Sequence, residues 1–162
     1  MRPSNIQQYE FLHGCVLTAL LRGKSPSTVC LIETDTSASW SMYKVNDAFI
    51  HIKPSMAPKQ QKKDESWVWQ FTFSTNELEA IKTHESNVVL VCAVSDIKSK
   101  EKMWRILVEF EPLQSLLDLD SPSQSTLSAK YPPKAKKLLI SGNGKAARIA
   151  PKAFLDWQIP GS

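Results

Sequence analysis

The chain has 162 residues, of which 42% are hydrophobic, and a formal net charge of +4. A length near 150 residues is typical of one domain, and a chain of this size buries roughly 70% of its unfolded surface, so it needs no disulfide or metal to fold. Its apolar runs are far shorter than the ~20 residues that span a bilayer. The residues after Met1 do not form the apolar core of a secretory signal. We therefore expect a soluble cytoplasmic protein without membrane contact.

The N-terminal half predicts a helix followed by a β-meander. Ser4 and Gln7 form a capping box that begins the helix, and Gly23 ends it. Apolar and β-branched runs then predict three strands, separated by polar turns, over residues 28–32, 40–45 and 49–52.

The middle of the chain predicts a half-buried strand and a capped helix. Aromatic residues occupy every second position from Trp67 to Phe73, which is typical of a strand with one buried face. Ser74 and Glu77 form a second capping box, which begins a helix reaching about Lys82. Residues 88–94 are almost entirely apolar and predict a central strand buried on both faces.

The remaining sequence predicts a strand over 103–110, a helix from Pro112 to about Leu119, and a polar, proline-bearing loop over 121–133. The order of elements is typical of an α/β fold (α+β, with a mixed sheet), built on a helix, β-meander, helix, strand core. We divide the chain into an α/β core domain, 1–120, and a basic, loop-rich C-terminal segment, 121–162, packed on that core.

Charge is unevenly distributed between these two parts. Residues 121–162 contain seven basic residues and one acid, whereas residues 1–120 have a small excess of acids. Such asymmetry favours DNA or RNA, or an acidic protein, as the partner. The alternative is a solvated face that binds nothing.

The three cysteines and three histidines predict neither a disulfide framework nor a metal site. Cys15, Cys30 and Cys92 are widely spaced in apolar runs, as expected for buried thiols in a reducing compartment. The histidines share no metal-ligand spacing.

A short predicted strand carries the candidate catalytic residues. Asp47 begins it, and His51 and Lys53 follow at its far end. A fixed ammonium at Lys53 would stabilise charge on a phosphate, although a strand-end lysine also commonly protects an edge and contributes little to packing. His51 could act as a base because its pKa lies near neutrality, whereas a lone histidine in a strand is usually structural.

The chain resembles the PD-(D/E)xK nuclease superfamily in its order of elements, helix, β-meander, helix and strand. It also resembles that superfamily in the positions of Asp47 and Lys53. The stretch Ile-His-Ile-Lys-Pro-Ser and the later Trp-x-Phe-x-Phe strand also resemble a group of small bacterial proteins. The resemblance covers about residues 5–95. It implies that Glu10 and Asp47 hold Mg²⁺, and that Lys53 is the catalytic lysine of a phosphodiesterase in a bacterial DNA-transaction or defence context.

One position departs from the pattern of that superfamily. His51 stands where its members place Glu or Gln, and imidazole is a poor substitute for a carboxylate as a Mg²⁺ ligand. Either the site uses Glu10, Asp47 and a borrowed acid, Glu33 or Asp35, or it is degenerate.

Basic residues with a neighbouring aromatic residue indicate nucleic-acid contacts. Trp67 could stack on a base, although alternating aromatics more often form core. We expect polyanion contacts from this tryptophan and from Lys59, Lys62, Lys63, Lys134, Lys136, Lys137, Lys145 and Arg148. The leading hypothesis is thus a nucleic-acid-associated protein with a nuclease-like sheet. The alternative is a non-catalytic module that binds a protein partner or forms a homodimer.

Overall fold

In the computed structural model of the protein, the described residues are 13–18, 29–35, 40–55, 58–63, 65–94, 102–132 and 134–150. Glu10 lies outside them, as does the start of the first predicted helix. Residues 13–18 are helical and are called α1.

Ten strands and two further helices follow in the described part of the chain. In chain order they are β1 Val29–Asp35, β2 Trp40–Val45, β3 Ala48–Ser55, β4 Lys59–Gln60, β5 Trp67–Phe73, α2 Thr75–His84, β6 Asn87–Val94, β7 Lys102–Val108, α3 Phe110–Leu116, β8 Ser125–Tyr131, β9 Leu138–Gly142 and β10 Lys145–Ile149.

The strands form two five-stranded sheets. Sheet A has the order β1-β2-β3-β6-β7, and sheet B has the order β10-β9-β8-β5-β4. Neighbours are antiparallel except β3 and β6, which are parallel. The connection between these two strands passes through β4 and β5 of sheet B and then through α2. The expected mixed α+β fold is therefore confirmed, and its division into two sheets was not predicted.

The main hydrophobic core lies between the two sheets. Sheet B contributes the inward side chains of β5, Trp69, Phe71 and Phe73, and sheet A faces them with Met42 and Leu90. The other face of sheet A carries a second core, where Ile50 and Val89 cluster with Val16 of α1.

Strand β6 is the interior strand that the sequence predicted. Val88, Leu90 and Cys92 belong to the core between the sheets, while Val89 and Val91 belong to the second core. Both faces are therefore buried, which explains a strand without polar alternation. Burial also raises the pKa of the Cys92 thiol. The expectation of buried thiols fails for Cys30, which is exposed.

The loop predicted over 121–133 is wrong for residues 125–131, which form β8. Leu127 and Ala129 point inward and are fully buried, while Thr126 and Ser128 alternate with them. The seven residues of β8 pair in continuous register with β5. Small polar residues on the outward face made this strand resemble a loop. In the described residues, no helix has the length and apolar character needed to cross a membrane.

Candidate nucleic-acid interface

The loop between β4 and β5 presents the first group of basic residues. Two backbone hydrogen bonds close it, from Gln61 N–H to the Ser66 carbonyl at 2.8 Å and from Glu65 N–H to the Gln61 carbonyl at 2.9 Å. Lys62 and Lys63 are exposed within this loop. These hydrogen bonds hold the loop backbone in place, and so they fix the positions from which Lys62 and Lys63 project.

The loop between β8 and β9 presents the second group. Lys134 has a φ of 62°, and Ala135 N–H donates to the Pro132 carbonyl at 3.2 Å. This turn leaves Lys134, Lys136 and Lys137 exposed. One short segment therefore presents three lysine side chains to solvent.

Strand pairing brings these two loops to one end of sheet B. The first residue of β5, Trp67, pairs with the last residue of β8, Tyr131. Because these strands are antiparallel, the loop before β5 and the loop after β8 emerge side by side. Residues separated by about 70 positions in the sequence therefore share one surface.

A cross-strand row of side chains adds further cations at this end. Successive register partners across the sheet are Lys59, Val68, Lys130, Leu139 and Arg148. Partners in register point to the same side of a sheet. Since Trp69 and Phe71 point into the core, this row points outward.

We call the two loops and this row the basic end of sheet B. It carries eight basic side chains, and its segments contain two acids, Asp64 and Glu65. The eight are Lys59, Lys62, Lys63, Lys130, Lys134, Lys136, Lys137 and Arg148. All of these except Lys130 were predicted polyanion contacts, and the topology collects them at one place.

Lys145, also predicted, lies at the opposite end of sheet B. It follows the Asn143-Gly144 turn, whose φ values of 50° and 70° are typical of a tight hairpin turn. Its register partner is Gly142, whereas Ile149 pairs with Leu138 beside the basic end. Lys145 therefore lies outside the basic end, beside Thr126 and Ser141 at the far end of the same sheet.

Trp67 does not lie on the outward face of sheet B. It is half-buried and packs against the core between the sheets. Trp69 is fully buried, and its indole N–H donates to the Ala93 carbonyl at 2.9 Å. The aromatic face of β5 is therefore core, which was the alternative interpretation of the alternating pattern.

The structure separates the predicted catalytic residues of the β3 region. Asp47 is exposed in the turn before β3, while Lys53 lies near the other end of that strand. Six residues at about 3.3 Å each place the two roughly 20 Å apart. Asp47 and Lys53 are therefore not brought together, although His51 and Lys53 are.

Glu77 joins His51 and Lys53 in one ionic cluster. Its Oε2 lies 2.8 Å from His51 Nε2, and its Oε1 lies 2.7 Å from Lys53 Nζ. Lys53 Nζ is also 3.0 Å from Oε2, and Ser74 N–H donates to Oε1 at 3.2 Å. A carboxylate only accepts hydrogen bonds, so His51 donates from Nε2.

This cluster is buried among aromatic rings. The side chains of His51, Glu77 and Lys53 are 0%, 1% and 12% exposed. The His51 ring centroid is 5.1 Å from that of Trp40 and 5.9 Å from that of Phe73, and Lys53 Nζ is 5.2 Å from the Phe73 centroid. Such surroundings make each charge dependent on its partners.

The electrostatics of Glu77 follow from this geometry. Burial alone would raise the pKa of its carboxyl, but hydrogen bonds from His51 and Lys53, together with their charges, lower that pKa below its ordinary value. Glu77 is therefore ionised in the folded protein at neutral pH. The cluster fastens α2 to the end of β3.

Sequence reasoning identified Glu77 only as a helix cap. The capping box is confirmed, since Ser74 and Glu77 exchange both hydrogen bonds. The bonds to β3 join residues 24 and 26 positions apart, and no local pattern signals such a contact. The sequence feature that comes nearest to indicating this contact is a glutamate at a capping position close to a strongly apolar strand.

The residues described do not fit the expected Mg²⁺ site. Among them, no three His, Cys, Asp or Glu side chains converge as metal ligands. Asp47 is distant from Lys53, and Glu10 lies outside the described part. The geometry therefore assigns no chemical step to a metal, and Mg²⁺ binding stays a prediction.

Comparison with known proteins gives no match to this chain among family models, curated proteins or solved structures.

Proposed function

We propose that this protein binds nucleic acid through the basic end of sheet B. The observation that carries the proposal is the pairing of Trp67 with Tyr131, which puts two lysine-bearing loops side by side. Lysine and arginine contacts to phosphates supply most sequence-independent affinity for nucleic acids. Five of the eight cations lie in the two loops, so they can reach a bound backbone from one side.

The salt dependence of binding follows from the number of phosphates contacted. Eight side chains on two loops and a row cannot all reach phosphates of one molecule, so we take about four contacts. Counterion release then gives a slope of log affinity against log salt of roughly −4. Affinity should fall about a hundredfold between 50 and 200 mM salt.

Fluorescence anisotropy with a labelled 24-base-pair duplex tests this proposal. Replacing Lys134, Lys136 and Lys137 with Gln should reduce the salt slope by up to about three units and weaken binding to all sequences alike. Lys82→Gln is the matched control, because it removes one exposed charge on α2, outside sheet B. It should leave the slope nearly unchanged.

Two outcomes would contradict the proposal. One is the absence of measurable binding to DNA or RNA at 50 mM salt; the non-catalytic module, docking on a protein partner or on itself, would then lead. The other is a loss of affinity in Lys82→Gln as large as that in the triple variant.

A phosphodiesterase reaction is a second and separate proposal. What supports it is a lysine ammonium beside a carboxylate at the end of β3, where Lys53 lies 2.7 Å from Glu77. To act on a phosphate, Lys53 would have to exchange that carboxylate for the substrate. Incubating the wild-type protein with plasmid DNA and Mg²⁺ or Mn²⁺ tests it. Intact plasmid would remove the reaction and leave the binding proposal in place.

A further inference from the structure

We infer that the basic end of sheet B takes duplex nucleic acid by its phosphate backbone, and does not take a single strand by base stacking. This inference rests on the proposed function and names the form of nucleic acid that the surface fits. Its evidence is the chemistry of the outward face of sheet B.

The outward face of sheet B lacks an aromatic platform. Inward and outward side chains alternate along each strand, so register identifies every outward residue. In the part of the chain that the structure describes, these residues include neither an aromatic ring nor an acid; they are Lys59, Val68, Gln70, Thr72, Thr126, Ser128, Lys130, Leu139, Ser141, Ala146 and Arg148. Proteins that hold single strands without sequence preference stack successive bases on exposed aromatic rings.

The side chains that are present suit a phosphate backbone. Gln70, Thr72 and Thr126 are exposed, and Ser128 and Ser141 are half-buried beside them. Hydroxyl and amide groups are common donors to phosphate oxygens, alongside Lys and Arg. A group of uncharged side chains that can form hydrogen bonds therefore lies next to the row of basic residues from Lys59 to Arg148.

The width of this face favours two backbones over one. The row from Lys59 to Arg148 crosses five strands. Four gaps of about 4.8 Å give a span of roughly 19 Å. The major groove of a duplex is about 12 Å wide, so a row of this length can contact phosphates on both of its sides. A duplex also carries one charge per ~1.7 Å of axis, counting both strands.

The relief of the face is consistent with this inference. Its depression near the β9–β10 turn is shallow and is lined by Thr126, Ser128, Ser141, Gly142, Gly144, Lys145 and Ala146. Enzymes that extract a base enclose it in a tight pocket between stacking side chains. The depression has no aromatic lining, so the face fits an intact helix.

The test compares a labelled 24-base-pair duplex with each of its separated strands at one salt concentration. We expect the duplex to bind at least about tenfold more tightly. Trp67→Leu, confirmed as folded by its thermal melt, should keep duplex affinity within about twofold, since Trp67 faces the core. Lys59→Gln combined with Arg148→Gln should lower the duplex salt slope by about one of its roughly four units. Lys82→Gln, an exposed lysine on α2 outside sheet B, should leave it unchanged.

Distinct results would overturn the inference. Equal or tighter binding of a single strand, or a loss above tenfold in folded Trp67→Leu, would assign stacking to this surface while keeping nucleic acid as the ligand. An unchanged salt slope in the Lys59 and Arg148 variant would remove the row from the interface. Binding of neither duplex nor strand would end the inference together with the proposed function.

Discussion

Glu77 is the residue on which the junction of β3 and α2 depends. Its carboxylate accepts hydrogen bonds from the side chains of His51 and Lys53 and from the Ser74 amide. The sequence predicted that Lys53 contributes little to packing, because it ends a strand. The structure contradicts that, since Lys53 is mostly buried and paired.

Removing the Glu77 charge should destabilise the protein. Breaking a buried ion pair by deleting one partner costs roughly 3–5 kcal/mol, because the other charge stays buried. We expect Glu77→Gln to lower the free energy of unfolding by about 3 kcal/mol, at the lower end because Lys53 retains some solvent contact. Urea denaturation measures it. Glu79→Gln, on the exposed side of α2, is the control and should change stability by less than about 0.5 kcal/mol. Equal losses in both variants would contradict the role of Glu77.

His13 predicts how stability depends on pH. Burial, and then the nearby charge of His51, lowers its pKa to about 4. Between pH 4 and 6.5 the unfolded chain therefore binds a proton that the folded protein excludes, so the free energy of unfolding falls as pH falls. The shift corresponds to a loss of up to about 3 kcal/mol.

Glu77 acts in the same direction at lower pH. Because the pKa of Glu77 is lowered by folding, its carboxylate stabilises the fold at pH values above 4.5, the ordinary pKa of a glutamate. This contribution to the free energy of unfolding is lost as the pH falls further. Urea denaturation at pH 4.5, 5.5, 6.5 and 7.5 isolates the histidine. His13→Leu should flatten the profile over this range, and a flat wild-type profile would contradict the assignment.

At the scale of elements, β5 shows how alternation decides which substitutions matter. Phe71 is 1% exposed in the core between the sheets, whereas Gln70 is exposed on the outward face. Phe71→Ala should lower the free energy of unfolding by roughly 3–5 kcal/mol, as other buried Phe truncations do. Gln70→Ala should have little effect, and Trp67→Ala should fall between them. Chemical denaturation measures these changes in the free energy of unfolding. Similar decreases for Phe71→Ala and Gln70→Ala would contradict the assignment of Phe71 to the buried face of β5 and Gln70 to the outward face.

Gly142 marks a close approach between β9 and α3. A Cβ at this position would lie 2.1 Å from the Leu116 carbonyl oxygen and 2.8 Å from Leu127 Cδ2. Since the first of these is backbone, Gly142→Ala should destabilise by about 1–3 kcal/mol. Gly14→Ala is the control: in α1, a Cβ added at this position would meet no heavy atom of the described residues within 4 Å, apart from its chain neighbours and its own helix backbone. It should be neutral or stabilising by up to about 1 kcal/mol, and the reverse order of melting temperatures would contradict the contact.

Local signals were sufficient for some elements and insufficient for others. Apolar alternation predicted β5, continuous burial predicted β6, and the Ser74–Glu77 capping box predicted the start of α2. Strand β8 was missed because its outward positions are small and polar, and only its pairing with β5 makes it a strand. The same non-local pairing produces sheet B and the basic end, so sequence alone could name the cations without grouping them.

In the whole molecule, the two sheets differ in how much of their surface is buried. Sheet A is buried on both faces over β3 and β6, so it contributes to both hydrophobic cores. Sheet B has one buried face, and its other face carries hydroxyls, amides and cations. The proposed binding surface therefore lies where substitutions are least costly to the fold.

Paired loop variants test whether the two distant loops of sheet B contact one polyanion. Lys62→Gln with Lys63→Gln neutralises the first loop, and Lys136→Gln with Lys137→Gln neutralises the second. On a labelled duplex, each pair should reduce the salt slope by up to about two units, and the four together by about the sum. A slope that responds to one loop alone, or to neither, would contradict a single surface formed by the pairing of β5 with β8.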